Sequence, residues 1–77
     1  MQTVLDRVDP KRNMARFYAV EIRRDLFGTW TVTRRWGRIG KSGREAIESY
    51  PKHEAAVAAA HSLIDRKVGR GYRPRLS

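Results

Sequence analysis

From Arg34 to Gly40 the chain reads Arg-Arg-Trp-Gly-Arg-Ile-Gly, an indole set among arginines and closed by glycine. Five cations (Arg34, Arg35, Arg38, Lys41 and Arg44) fall within this stretch and the residues just after it, with no acid among them. Cations at that density attract phosphate, and an exposed indole offers a flat face to a sugar or a base. The purely structural counterpart is a tryptophan packed at a strand end with solvated arginines around it, so the rest of the chain must decide.

Catalytic and metal chemistry fail on spacing. Gly40-Lys41-Ser42 has the end of a phosphate-binding loop, but Arg35 stands where the motif needs its first glycine, and a strand pattern follows instead of a helix. Gly37-Arg38-Ile39-Gly40 matches the loop of the KH module, which joins two helices, whereas this one ends a strand. His53 and His61 are the only histidines; on one helix they stand about 12 Å apart, too far to share a metal. Glu45 and Glu48 fall on opposite faces of a strand and cannot work as a carboxylate pair. No catalytic residue, cofactor or metal is expected.

The composition agrees with binding. The 77 residues make one domain with a small core. There is no cysteine, hence no disulfide framework and no thiolate metal site. No apolar run follows Met1, and the longest one, Ala55 to Ala60, is far too short to span a bilayer. A cytoplasmic or nucleoid location, with no membrane partner, is the expectation. Net charge is +9, from 17 Lys+Arg against 8 Asp+Glu, and a pI near 11.1 is typical of nucleic-acid-binding surfaces. Arginine predominates over lysine, and its planar fork both grips phosphate and stacks on rings.

The elements that must position these residues follow from periodicity. Thr3 to Val8 reads as an edge strand and Asp9 to Asn13 as a turn. Met14 to Arg24 reads as a long strand, with Tyr18, Val20 and Ile22 on one face. After a turn ending at Gly28, Thr29 to Ile39 forms the next strand, with Trp30, Val32, Arg34 and Trp36 sharing a face. Gly40 to Gly43 is a hairpin loop, and Arg44 to Tyr50 a fourth strand with Ile47 as its main apolar residue. Beyond Pro51 the period becomes helical. Ala56, Ala60, Leu63, Ile64 and Lys67 fall on one stripe, and Gly69 marks the stop. Residues 69–77 form a basic tail, with Tyr72 folding back onto the body. The expected fold is α+β: a twisted antiparallel sheet of about four strands with one long C-terminal helix on one face. Leu63 and Ile64 should be buried against Trp30, Tyr18, Val20, Ile22 and Ile47. Trp30 should be core and Trp36 at least partly accessible.

Trp36-Gly37-Arg38-Ile39-Gly40, the strand Arg16 to Ile22, Trp30 six residues before Trp36, and the run Lys67-Val68-Gly69-Arg70-Gly71-Tyr72 together resemble the WGR domain. The likeness covers about residues 3 to 72, within a single WGR-like domain over 1–77. This family occurs in poly(ADP-ribose) polymerases and in bacterial proteins. The resemblance implies an antiparallel sheet with one long helix, no active site, and nucleic-acid recognition near strand ends. It implies that Trp36 packs against the sugar of a terminal nucleotide and that Arg38 links the domain to nucleic acid and neighbouring modules.

The expected function is a non-catalytic nucleic-acid-binding module, with DNA ahead of RNA and strand ends or nicks as candidate targets. Its expected site is Trp36, Arg38, Arg34, Arg35, Lys41 and Arg44, joined by a second cation run from Arg66 to Arg75. The alternative is a protein-interaction module that docks its basic face on an acidic partner or neighbouring subunit.

Overall fold

Alternation of apolar and polar residues builds a four-strand meander with one face for the helix and one for solvent. The computed structural model describes residues 1–75, so the last two residues of the basic tail lie outside the described residues. Strands β1 (Gln2–Asp9), β2 (Met14–Arg24), β3 (Trp30–Arg38) and β4 (Arg44–Tyr50) precede helix α1 (His53–Gly69) and a two-residue strand β5 (Arg73–Pro74). They form one antiparallel sheet in the order β4-β3-β2-β1-β5. The fold is therefore α+β, with five strands instead of about four.

The fifth strand changes the expected edge. β1 is not an edge strand, because β5 pairs with it at Leu5 and Asp6. Two features hold β5 there. Arg75 grips the Asp6 carboxylate with hydrogen bonds of 2.8 Å and 2.7 Å. The buried Tyr72 ring meets Tyr18 edge-on, at 6.5 Å between centroids. The first of these raises the Arg75 pKa still further. Arg73 also donates to the carbonyls of Val68 and Tyr72.

The helix starts at His53, two residues later than the first-position proline suggests, and Pro51 and Lys52 lead into it. It also runs through Gly69. The stop lies at Gly71, whose φ of 97° suits only glycine. There the Gly71 N–H donates to the Val68 carbonyl and the Tyr72 N–H to the Lys67 carbonyl, each at 3.1 Å. This doubly bonded left-handed cap throws Tyr72 back onto the core.

The core consists of Leu5, Tyr18, Val20, Ile22, Val32, Ala56, Ala60 and Tyr72. Ala56 and Ala60 are fully buried, so the helix backbone lies close to the sheet. Leu63 and Ile64 are half-buried at the margin of that contact instead of fully enclosed. Trp36 is half-buried and so partly accessible, as expected, but Trp30 is half-buried as well instead of core. Ile47 is not core. Its strand register sets it opposite Thr33, on the solvent face, where it is 60% exposed. Tyr50, across from Trp30, takes the inward place that Ile47 was expected to fill.

The β3–β4 hairpin closes through glycines. A Cβ on Gly37 would stand 2.8 Å from the Gly43 Cα, and one on Gly43 would collide with the Trp36 carbonyl. The Phe17 ring lies against both positions. Gly43 also has a φ of 74°. The Trp-Gly-Arg turn is thus a place where two backbones touch.

Two stability outcomes follow, both read by thermal or denaturant melting. Leu5→Ala should cost about 2–5 kcal/mol, as a fully buried leucine does, whereas Ile47→Ala should change stability by less than about 0.5 kcal/mol. Equal losses would contradict the face assignment. Gly43→Ala should cost at least about 1–3 kcal/mol from backbone strain alone, and an unchanged melt would show that the glycine contact is dispensable.

Candidate nucleic-acid interface

Three residues on the helix-facing side of β3 and β4 start the site: Arg34, Trp36 and, directly across from Trp36, Arg44. The strand pairing places Tyr18 on the other side of Trp36. Above them passes the last turn of α1. Leu63, Arg66, Lys67 and Arg70 sit at spacings of three and four residues and so share one face of the helix. Between sheet and helix lies a cavity of about 200 Å³ lined by Tyr18, Arg34, Trp36, Leu63, Arg66, Lys67 and Arg70. It has two aromatic rings, four cations and no carboxylate in its lining.

The cations are held by rings as much as by charges. The Arg34 guanidinium lies over the Trp36 ring, 5.6 Å from its centroid. Lys67 Nζ stands 4.8 Å from the Tyr18 ring and 5.3 Å from the Tyr72 ring. Both distances fall within cation–π range. The negative end of the helix dipole also favours cations in this last turn. Even so, burial depresses the Lys67 pKa, and the nearby charges of Arg70, Arg16, Arg34 and Arg66 depress it further. Among the described residues the acid paired with Arg34 is Glu48, 3.9 Å away and itself accepting a hydrogen bond from Tyr50. Burial, followed by that Glu48 contact, raises the Tyr50 pKa. The Arg34 Nε–H is buried without a hydrogen-bond partner among the described residues, which leaves an unsatisfied donor beside the cavity.

The sequence-predicted residues separate into three groups. Arg34, Trp36, Arg38 and Arg44 share the helix-facing side. Arg38 is pinned there by bonds of 3.2 Å and 3.4 Å to the carbonyl and side-chain oxygens of Asn13. Lys41 is exposed in the hairpin loop. Arg35 points to the opposite face, donates to the Ser42 carbonyl and faces Glu45 across the strands. Of the second cation run, Arg73 and Arg75 are engaged in holding β5, whereas Arg66, Lys67 and Arg70 line the cavity. Tyr18 was absent from the expected site, and Arg66, Lys67 and Arg70 were expected only as part of the second cation run, not as one wall of a cleft. The helical phase of positions 63, 66, 67 and 70 is the signal that could have found them.

Among the described residues there is no group of acids or histidines able to hold a metal ion, and no helix is long and apolar enough to cross a membrane.

The WGR domain family matches residues 1–77. The uncharacterized protein y4dW of Sinorhizobium fredii is 45% identical over 73 residues, which make up 95% of this chain and 36% of that protein. A crystal structure of a Bacteroides fragilis protein matches 99% of this chain, with a TM-score of 0.82 at 25% identity; the match covers 20% of that chain. This domain therefore spans about a third and a fifth of the lengths of the two proteins it matches. The match along the full length, the shared fold and the Trp36-Gly37-Arg38 turn agree: this chain belongs to the WGR domain family, known as a nucleic-acid-binding module.

Proposed function

We propose that this domain binds DNA through the cleft between β3 and the last turn of α1, with the β3–β4 hairpin at its mouth. The observation that carries this reading is the acid-free lining of the cavity: Arg34, Arg66, Lys67 and Arg70 around the rings of Tyr18 and Trp36. Gathering like charges around one cleft is unfavourable without a counter-charge, and a phosphate supplies one. In this reading Arg34 offers its guanidinium to a phosphate oxygen, and Lys67 and Arg70 neutralise the charge from above. Trp36 offers its ring to a sugar or base at a strand end. Arg38, Lys41 and Arg44 extend the positive field along the hairpin, and Arg35, on the far face, contributes only long-range attraction. The domain performs no chemistry; it positions a strand.

The tryptophans give the first test. Both are half-buried and both are capped by arginine, Trp30 by Arg24 and Trp36 by Arg34, so truncating either should lower the melting temperature. Only Trp36→Ala should weaken binding to labelled DNA, by about 1–3 kcal/mol in fluorescence anisotropy. Equal weakening by Trp30→Ala would contradict the cleft. With about four phosphates engaged, the log–log salt slope on duplex should be near −3.6. An acidic protein of matched charge should not compete.

The pH dependence gives the second test. The free-state pKa of Lys67 is lowered, and a bound phosphate raises it again. Affinity should therefore be full below the free-state pKa and fall as pH rises through it toward the ordinary lysine value. Lys67→Met should bind more weakly at neutral pH and lose that part of the pH dependence. Parallel pH profiles for the two proteins would place the phosphate elsewhere.

A further inference from the structure

We propose that Arg7, Arg16 and Arg38 form a second phosphate-contact track, which carries the backbone of one nucleic-acid strand from the Trp36 cleft across the sheet toward β1. This rests on the nucleic-acid reading above and extends it to residues outside the hairpin and the helix.

The strand register makes the track. Arg7 pairs with Arg16 and Arg16 with Arg38, so three arginines stand in one row across β1, β2 and β3. The next row inward is Leu5, Tyr18, Trp36 and Arg44, and the two rows are two residues apart on the same face. Strands lie about 4.8 Å apart, so the row covers on the order of 10 Å. Long arginine side chains in a row of that length can reach successive phosphates of one strand. The row also joins the cleft physically. Arg16 is among the charges acting on Lys67, and Arg7 lies against Gly71 at the helix stop.

Like charges directly opposite each other destabilise a sheet, and elsewhere this protein avoids them. On the solvent face Arg35 is opposite Glu45, and Arg23 pairs with Glu21 at 3.4 Å. Arg75 is matched by Asp6. In the arginine row no carboxylate pairs with Arg7, Arg16 or Arg38 among the described residues. Arg38 instead spends its donors on Asn13, a neutral partner that leaves its charge uncompensated. A face that solubility alone had shaped would not need three cations in register. A polyanion crossing the strands accounts for all three.

The test compares wild type, Arg7→Gln/Arg16→Gln and Trp36→Ala, each titrated with a thymidine dinucleotide and with a longer oligothymidylate at several salt concentrations. The double variant should bind the dinucleotide as wild type does. On the longer strand its log–log salt slope should be shallower by about 1.4, the loss of two single-strand contacts. Trp36→Ala should weaken both ligands with an unchanged slope. An unchanged slope in the double variant, with Trp36→Ala still weakened, refutes the track and leaves the cleft standing. No effect from either change refutes the nucleic-acid reading itself. An equal loss of slope on polyglutamate would assign the row to acidic proteins and overturn the track. Melting at low salt supplies a control: relief of repulsion should leave the double variant at least as stable as wild type. If it melts lower, Arg7→Lys/Arg16→Lys decides, because it must keep the full slope for the track to hold.

Discussion

Everything in this protein depends on how closely its one helix approaches the sheet. Ala56 and Ala60 have no exposed surface, and with methyl side chains at the contact the helix axis comes near β2 and β3. Larger residues there would lift the last turn away from the strands. The aromatic–cation nest of Lys67 between Tyr18 and Tyr72 would then open, as would the narrow space between Trp36 and Arg70. The site is therefore a product of small residues two turns away from it. The glycine-capped helix stop works toward the same end, because it returns Tyr72 to the core and pins Lys67 from its other side.

Charge is distributed unequally over the two faces of the sheet, and that inequality is the domain's main electrostatic property. On the solvent face arginines meet carboxylates across the strands or along them. On the helix face near the hairpin, cations meet rings, amide oxygens and one another, with Glu48 3.9 Å from Arg34 as the carboxylate among them. Rings satisfy a cation only in part, since a cation–π contact is worth about 0.5–2 kcal/mol and leaves the net charge in place. The field thus remains available to an outside anion. Burial depresses the Lys67 pKa, and repulsion from Arg70, Arg16, Arg34 and Arg66 adds to it.

Much of this was legible in the sequence, and the errors have physical reasons. Period-two patterning located four strands, the hairpin and the shared face of Trp30, Val32, Arg34 and Trp36, because side-chain alternation is enforced by the backbone itself. Ile47 was misplaced because its strand is rich in charge. Hydrophobicity singled out its one large aliphatic residue, yet the register fixed by the glycine hairpin turned that residue outward and Tyr50 inward. The helix stop was read one glycine early: Gly69 and Gly71 are equivalent as letters, and only the hydrogen bonds to Lys67 and Val68 separate them. β5 could not be seen, since two residues carry no period and its pairing is set by Asp6, far away in sequence. For the site, the hairpin was conspicuous as a local motif. Its upper wall was not, because Arg66, Lys67 and Arg70 face it only once the helix has docked.

The grip of Arg75 on Asp6 joins residues 69 apart in sequence, and the consequence is kinetic. The hairpins β2–β3 and β3–β4 close over short loops and can form early. β5 gains its partner only after the helix has stopped at Gly71 and Tyr72 has docked, with nearly the whole chain as the closed loop. Loop-closure entropy of that size makes it the last contact to form on folding. With two paired residues and an exposed ion pair to hold it, it is also the first to open. Amide exchange at the Arg75 N–H, which bonds to the Val4 carbonyl, should then be fast against the protected interior of β2. The segment that completes the sheet is its latch, and it can release without unfolding the cleft.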